Sequence, residues 1–349
     1  MNIDLLNTII SAGVGAGSAM LTLYVDGIRK KNDRKREDYN IYKSYSKPII
    51  AATESLAWRL REVLMFNGAY LLPDAPVNGF FKYKFDSTSY RLCSLLGWVR
   101  AVQKEHSYIE GITHSQNPKI RNAIGCFQKV LADGSHVEVS ILEELCKLYG
   151  LEEREIQDNI RQKLGVEIER IVFIFIPDQV KKNISNLNQE QKLEMTTSIM
   201  DLISDQTHQQ RVDKEVIKSK LEIAVDEIAR EFCWIYRDWQ NAIGDEMTIK
   251  IEGGKRYYDI IGFSEYMKKR IDNEWLGKVD NLFANLDVSI DNRFDTRVSQ
   301  VKRIYISLVE LISVLNESIE DEEGISKSGL TTLADLKNKL EQEFDKQGL

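Results

Sequence analysis

Charged residues are absent from Leu5 to Val25, 21 positions, and apolar residues spaced by three and four take over downstream. An uncharged run of that length matches the ~20 residues with which a helix crosses a bilayer core, so residues 1–28 read as a single transmembrane helix. A charged stretch over 29–47 follows, with Tyr39, Tyr42 and Tyr45 on one helical face. Pro48 marks a kink or a new start. Beyond it Ile49, Thr53, Leu56, Leu60 and Val63 define an amphipathic helix. Gly68 to Gly79 reads as a loop. Asp86-Ser87 reads as the cap of a helix burying Leu92, Leu95, Val99 and Val102.

Further along, helices are expected over Pro118–Leu131 and Ile141–Tyr149. The run Ile171–Ile176 fits either a buried strand or a helix end. Asn188 with Gln191 forms a capping box for a helix to about Ser204. Apolar positions from Ile217 to Ala242 predict one helix over Lys214–Ile243. Two alternating runs around Gly253-Gly254 predict a short β-hairpin near 247–260. Short helices over Phe263–Lys269 and Glu274–Leu286, a long one through Val301–Leu315, and a last one capped by Thr332 complete the chain. The expected class is mainly α, with a transmembrane helix and a helical bundle. The domains are an anchor (1–28), a basic juxtamembrane helix (29–47), a helical domain (48–318) and an acidic linker with a C-terminal helix (319–349).

Charge gives the anchor an orientation. Arg29, Lys30, Lys31, Arg34, Lys35 and Arg36 follow the apolar run directly, and no Lys or Arg precedes it. That order opposes a cleaved signal and predicts an N-terminus outside and a C-terminal domain inside the cell. Asn7, Thr8, Ser11, Ser18 and Thr22 also suit a buried small-residue helix. Within the span, Gly13 and Gly17 form a GxxxG, and Ser11 with Gly15 repeats the small-residue spacing, a face on which two helices approach closely. The expected partners are the lipid bilayer, a second copy of the chain and an unidentified protein. The formal charge of −7 divides into +3 for residues 1–36 and −10 for the rest. An acidic body disfavours nucleic acid, whereas the basic cluster suits anionic headgroups. Four scattered cysteines without a CxxC fit a reducing compartment.

Candidate chemistry is sparse. Pro177-Asp178 after an apolar run, with Glu190 and Lys192 downstream, formally matches a nuclease pattern of metal-holding carboxylates and a lysine. Glu190 and Lys192 fall at a helix start, however, where polar residues belong anyway. The four histidines show no ligand spacing, so no metal or cofactor is expected. Five tryptophans read as core. Trp239, Gln240, Asn241 and Asp245 form the one candidate polar site within a helix.

Two blocks carry a resemblance. Tyr45–Leu64 followed by Asp86-Ser-Thr and Leu95-Leu-Gly-Trp98, and later Trp239–Met247 with Ile261-Gly-Phe-Ser-Glu-Tyr266, resemble a family of uncharacterised bacterial proteins with QRAIGE and GYxxF blocks. Val301–Leu315 resembles that family's closing helix. Asn241 stands where the family block has Arg. The resemblance implies a mostly helical bacterial protein near a membrane, with about 107–231 an insertion, and implies no chemistry. The expected function is a single-pass inner-membrane scaffold, sensor or oligomerising membrane effector, non-enzymatic. The alternative is a membrane-tethered metal-dependent nuclease or other hydrolase.

Overall fold

The computed structural model describes residues 44–72, 75–108, 118–132, 137–152, 158–176, 187–229, 233–253, 256–289, 297–317 and 326–347. The Leu5–Val25 span, its Gly13/Gly17 face and the basic cluster lie outside them. Among the described residues, no helix is long and apolar enough to cross a membrane.

The protein is mainly helical. In chain order the helices are α1 (44–66), α2 (Gly79–Tyr108), α3 (Pro118–Leu131), α4 (Val137–Tyr149), α5 (Asp158–Phe175) and α6 (Gln189–Thr207). After them come α7 (Lys214–Ser219), α8 (Leu221–Ala229) and α9 (Arg237–Met247). Strands β1 (Thr248–Lys250) and β2 (Tyr258–Ile260) precede α10 (Phe263–Lys269), α11 (Glu274–Lys278), α12 (Asp280–Phe283), α13 (Arg297–Glu317) and α14 (Lys327–Gln347). The two strands are antiparallel, pairing Thr248 with Ile260 and Lys250 with Tyr258, so the expected hairpin is present.

Buried apolar residues separate into two clusters. The first joins α1, α2, α3, α9, the hairpin, α10 to α13 and the Leu333, Leu336 and Leu340 face of α14. The second is built by α4 to α8 and Trp234, through Leu142, Leu145, Ile168, Val172, Ile199, Ile203 and Ile228. In the first, α1 and α2 form an antiparallel pair. Arg91 donates to the Ser55 carbonyl at 2.5 Å, Arg59 to the Lys84 carbonyl at 3.4 Å, and Tyr45 meets Glu105. Helix α9 then crosses α2 at two glycines. A Cβ on Gly97 would lie 2.8 Å from the Met247 Cβ, and one on Gly244 would lie 2.5 Å from the Arg100 Cβ and 3.0 Å from the Leu96 carbonyl. Only hydrogen fits between those backbones.

Polar contacts join the two clusters. Ser299 on α13 donates to Asp226 of α8 at 2.7 Å, and Arg303 pairs with Glu227 at 2.7 Å. Within the first cluster, Ile235 N–H bonds the Leu131 carbonyl at 3.0 Å. That last bond brings together the two ends of the second cluster's chain segment.

Several boundaries differ from the sequence expectation. Helix α1 is continuous across Pro48. Helix α2 begins at Gly79, with Asn78 Oδ1 accepting from Phe81 N–H at 3.2 Å. Asp86 and Ser87 therefore lie mid-helix, where the Ser87 and Thr88 hydroxyls donate back to the Lys84 carbonyl at 3.1 and 2.8 Å. Thr332 does the same to Ser328 inside α14, and Ser326 supplies the cap. The Ile171–Ile176 run closes α5 as helix, because Ile168, Val172 and Ile176 bury one face while Phe173 and Ile174 point outward. The expected single helix over 214–243 is broken into α7, α8 and α9. Its apolar rhythm persists through Cys233, Trp234 and Ile235 because those buried residues pass from one core to the other. The Asn188–Gln191 capping box is present as expected.

Candidate functional site

The described residues nearest in sequence to the N-terminal segment hold a buried polar network. Tyr45 is fully buried, and its phenol donates to Glu105 Oε2 while accepting the Tyr258 N–H at 3.1 Å. The same Glu105 oxygen accepts the Tyr257 N–H at 3.0 Å. One phenol and one carboxylate thus tie three elements together: α1, the end of α2 and the approach to β2. Burial first, then the Glu105 carboxylate, pushes the Tyr45 phenol well above its ordinary range, which keeps it a donor. The indole of Trp98 lies edge-on to Tyr45, and Arg256 covers the Trp98 ring at 5.0 Å.

One turn away, α2 grips α9 by charge. Arg100 reaches both oxygens of Asp245, at 2.8 and 3.1 Å, and Lys104 reaches the same carboxylate at 2.6 Å and Thr248 Oγ1 at 2.9 Å. Partial burial opposes ionisation of Asp245, but Arg100 and Lys104 outweigh it and hold the carboxyl below its usual range. At the other end of α2, Arg270 is clamped between Asp86, at 2.7 Å, and Asp280, which also accepts from Ser89 at 2.7 Å. Beside this cluster, burial pushes the Cys93 thiol up to about 12, so it carries no thiolate at neutral pH.

No family model, no curated protein and no solved structure matches this chain.

The residues singled out from sequence are dispersed. Asp178 lies outside the described residues. Glu190 and Lys192 occupy the first turn of α6, about 200° apart around it, so Glu190 is exposed whereas Lys192 is buried against Glu222 at 3.4 Å. Two residues apart on a strand they would share a face; on this helix they do not. Around α9, Gln240 donates to the Gln128 and Ile235 carbonyls at 3.0 and 2.8 Å, Trp239 lies under Lys278 at 4.6 Å, and Asn241 is half-buried. Asp245 belongs to the α2 contact, so Trp239, Gln240, Asn241 and Asp245 do not converge on one point. No group of three or more His, Cys, Asp or Glu side chains among the described residues is placed to hold a metal.

Sequence reasoning missed Glu105, although a signal was present. It continues the buried line of Leu92, Leu95, Val99 and Val102, and a carboxylate on an apolar stripe calls for a buried partner.

Proposed function

We propose that this protein is a single-pass bacterial inner-membrane protein, its N-terminus outside and its helical body in the cytoplasm, acting by association as a scaffold, sensor or oligomerising membrane effector. The observation that carries this reading is the burial of Tyr45. Only eight residues separate it from Arg36, the last residue of the basic cluster, so the linking chain reaches at most ~30 Å extended and ~14 Å as helix. A body tied in at Tyr45 stays within that distance of the surface that Arg29, Lys30, Lys31, Arg34, Lys35 and Arg36 contact.

The tie also gives a route for signals. Span association through Ser11, Gly13, Gly15 and Gly17 would turn or shift the segment entering α1. Tyr45 would pass that movement to Glu105 and the Tyr257–Tyr258 backbone. The mainly helical body, the uncharged 21-residue run and the resemblance to helical membrane-associated proteins all agree with this assignment.

Alkaline carbonate extraction of cells expressing the full chain tests it. The protein is expected in the membrane pellet, released by detergent, and crosslinked as oligomers that Gly13→Ile with Gly17→Ile reduces to monomer. Recovery in the carbonate supernatant contradicts the anchor, and unchanged crosslinking of the double variant contradicts span association.

A further inference from the structure

Helix α5 packs one face into the second core through Leu164, Ile168 and Val172 and turns the opposite face to solvent. That outer face carries Gln162, Lys163, Val166, Arg170, Phe173 and Ile174, all exposed. At 100° per residue they span roughly 120° of the helix. Val166, Phe173 and Ile174 are 58%, 54% and 69% exposed, an unusual display of large apolar side chains on one stripe. The charges interleaved with them, Lys163 and Arg170, are basic; Arg170 also touches half-buried Glu167 at 3.2 Å. Apolar and aromatic residues mixed with Lys and Arg are the composition of a helix that lies in an anionic bilayer interface.

The position of this lobe agrees. Its two ends meet at the Leu131–Ile235 bond, one turn from Gln128, which receives Gln240 at 3.0 Å and Gln103 at 3.5 Å. Gln103 lies two residues from Glu105, the partner of Tyr45. The lobe therefore leaves the body at the end of α2 where the chain from the N-terminal segment enters. The opposite end, near Asp86 and Arg270, is about 28 Å away along α2 at 1.5 Å per residue.

We propose that the outer face of α5 is a second, peripheral membrane contact, seating Val166, Phe173 and Ile174 among the headgroups of anionic lipid with Lys163 and Arg170 on their phosphates. This rests on the anchored reading above. Two contacts on one surface would fix the orientation of the body, which a single tether leaves free.

The test places an environment-sensitive fluorophore at Phe173→Cys in the full-length chain, with the exposed Cys126 changed to Ser; Cys93, Cys146 and Cys233 are buried. Ile271→Cys, at a residue 81% exposed beside Arg270, serves as the distant control. In vesicles with about 30% anionic lipid, the 173 probe should shift to the blue and lose roughly half its intensity to brominated lipid, whereas the 271 probe should stay aqueous. Lys163→Glu with Arg170→Glu should return the 173 probe to water. A chain that floats with vesicles but keeps an aqueous 173 probe overturns the α5 contact alone. A chain that fails to float overturns the anchor and the contact with it. A 173 probe buried equally in zwitterionic vesicles, in proportion to protein density, overturns the lipid assignment in favour of a second copy.

Discussion

The two cores are built in different ways. The first gathers helices from residues 44 to 131 and from 233 to 340, and closes them with devices that need long-range agreement: two glycines at the α2–α9 crossing, a buried Tyr–Glu tie and an arginine between two aspartates. The second is one continuous stretch in which α4 meets α5, α5 meets α6, and α6 meets α7 and α8, with a mainly aliphatic interior. Contacts local in sequence form early, and the polar seam of Asp226–Ser299 and Glu227–Arg303 joins the second core to the first. The difference assigns roles. The first core takes in the start of α1 through Tyr45, and the second packs against it across a polar seam.

Ile168→Ala breaks this picture most strongly. Ile168 is fully buried in the second core, so the variant should lose about 2–4 kcal/mol. If the lobe is a separate unit, denaturant unfolding followed by site-specific probes should resolve two transitions, with only the lobe's moved. A single shifted transition would merge the two regions. Gly244→Ala should act on the first core instead, by about 1–3 kcal/mol, since its Cβ meets both the Arg100 side chain and the Leu96 carbonyl. Gly125→Ala on α3, which would meet nothing within 4 Å, should be neutral or stabilise by up to about 1 kcal/mol. Thermal melts of the pair separate close approach from general glycine replacement.

The smallest effect is that of Asp245. A carboxyl held below its unfolded pKa of about 3.9 contributes stability above that value and loses it as pH falls through the lower folded pKa. Asp245→Asn should therefore remove a component of the acid sensitivity of the first core, below about pH 4, by no more than about 1 kcal/mol because the site is partly solvated. An unchanged stability-versus-pH curve for the variant would contradict the assignment.

Much of the helical order was legible because periodicity reports which face is buried. Pro118–Leu131, Phe263–Lys269, the Asn188 capping box and the hairpin all lie where the residues predict them. Periodicity does not report which core a face enters, so the stripe from Ile217 to Ala242 read as one helix although it crosses between two. Hydroxyl and carboxylate residues misled in the same direction. Asp86, Ser87 and Thr332 resemble caps, yet a helix interior accommodates them when a carbonyl one turn back accepts from the hydroxyl or a distant Arg270 donates to the carboxylate. The tie at Tyr45 was half visible. Tyr45 belongs to a tyrosine stripe, whereas its partners lie 60 and 213 positions away, a separation no local pattern encodes.

Amide hydrogen exchange on the full chain in nanodiscs, wild type against Tyr45→Phe, tests most directly whether the incoming helix and the hairpin are one unit. Removing the hydroxyl takes from Glu105 one of its donors, the Tyr257 N–H remaining, and from the Tyr258 N–H an acceptor, a loss of about 1–2 kcal/mol. Peptides over 44–50 and 256–260 should lose protection together, by roughly tenfold in exchange rate, while 158–175 in the second core is unchanged. Loss confined to 44–50, with the hairpin as protected as before, would contradict it.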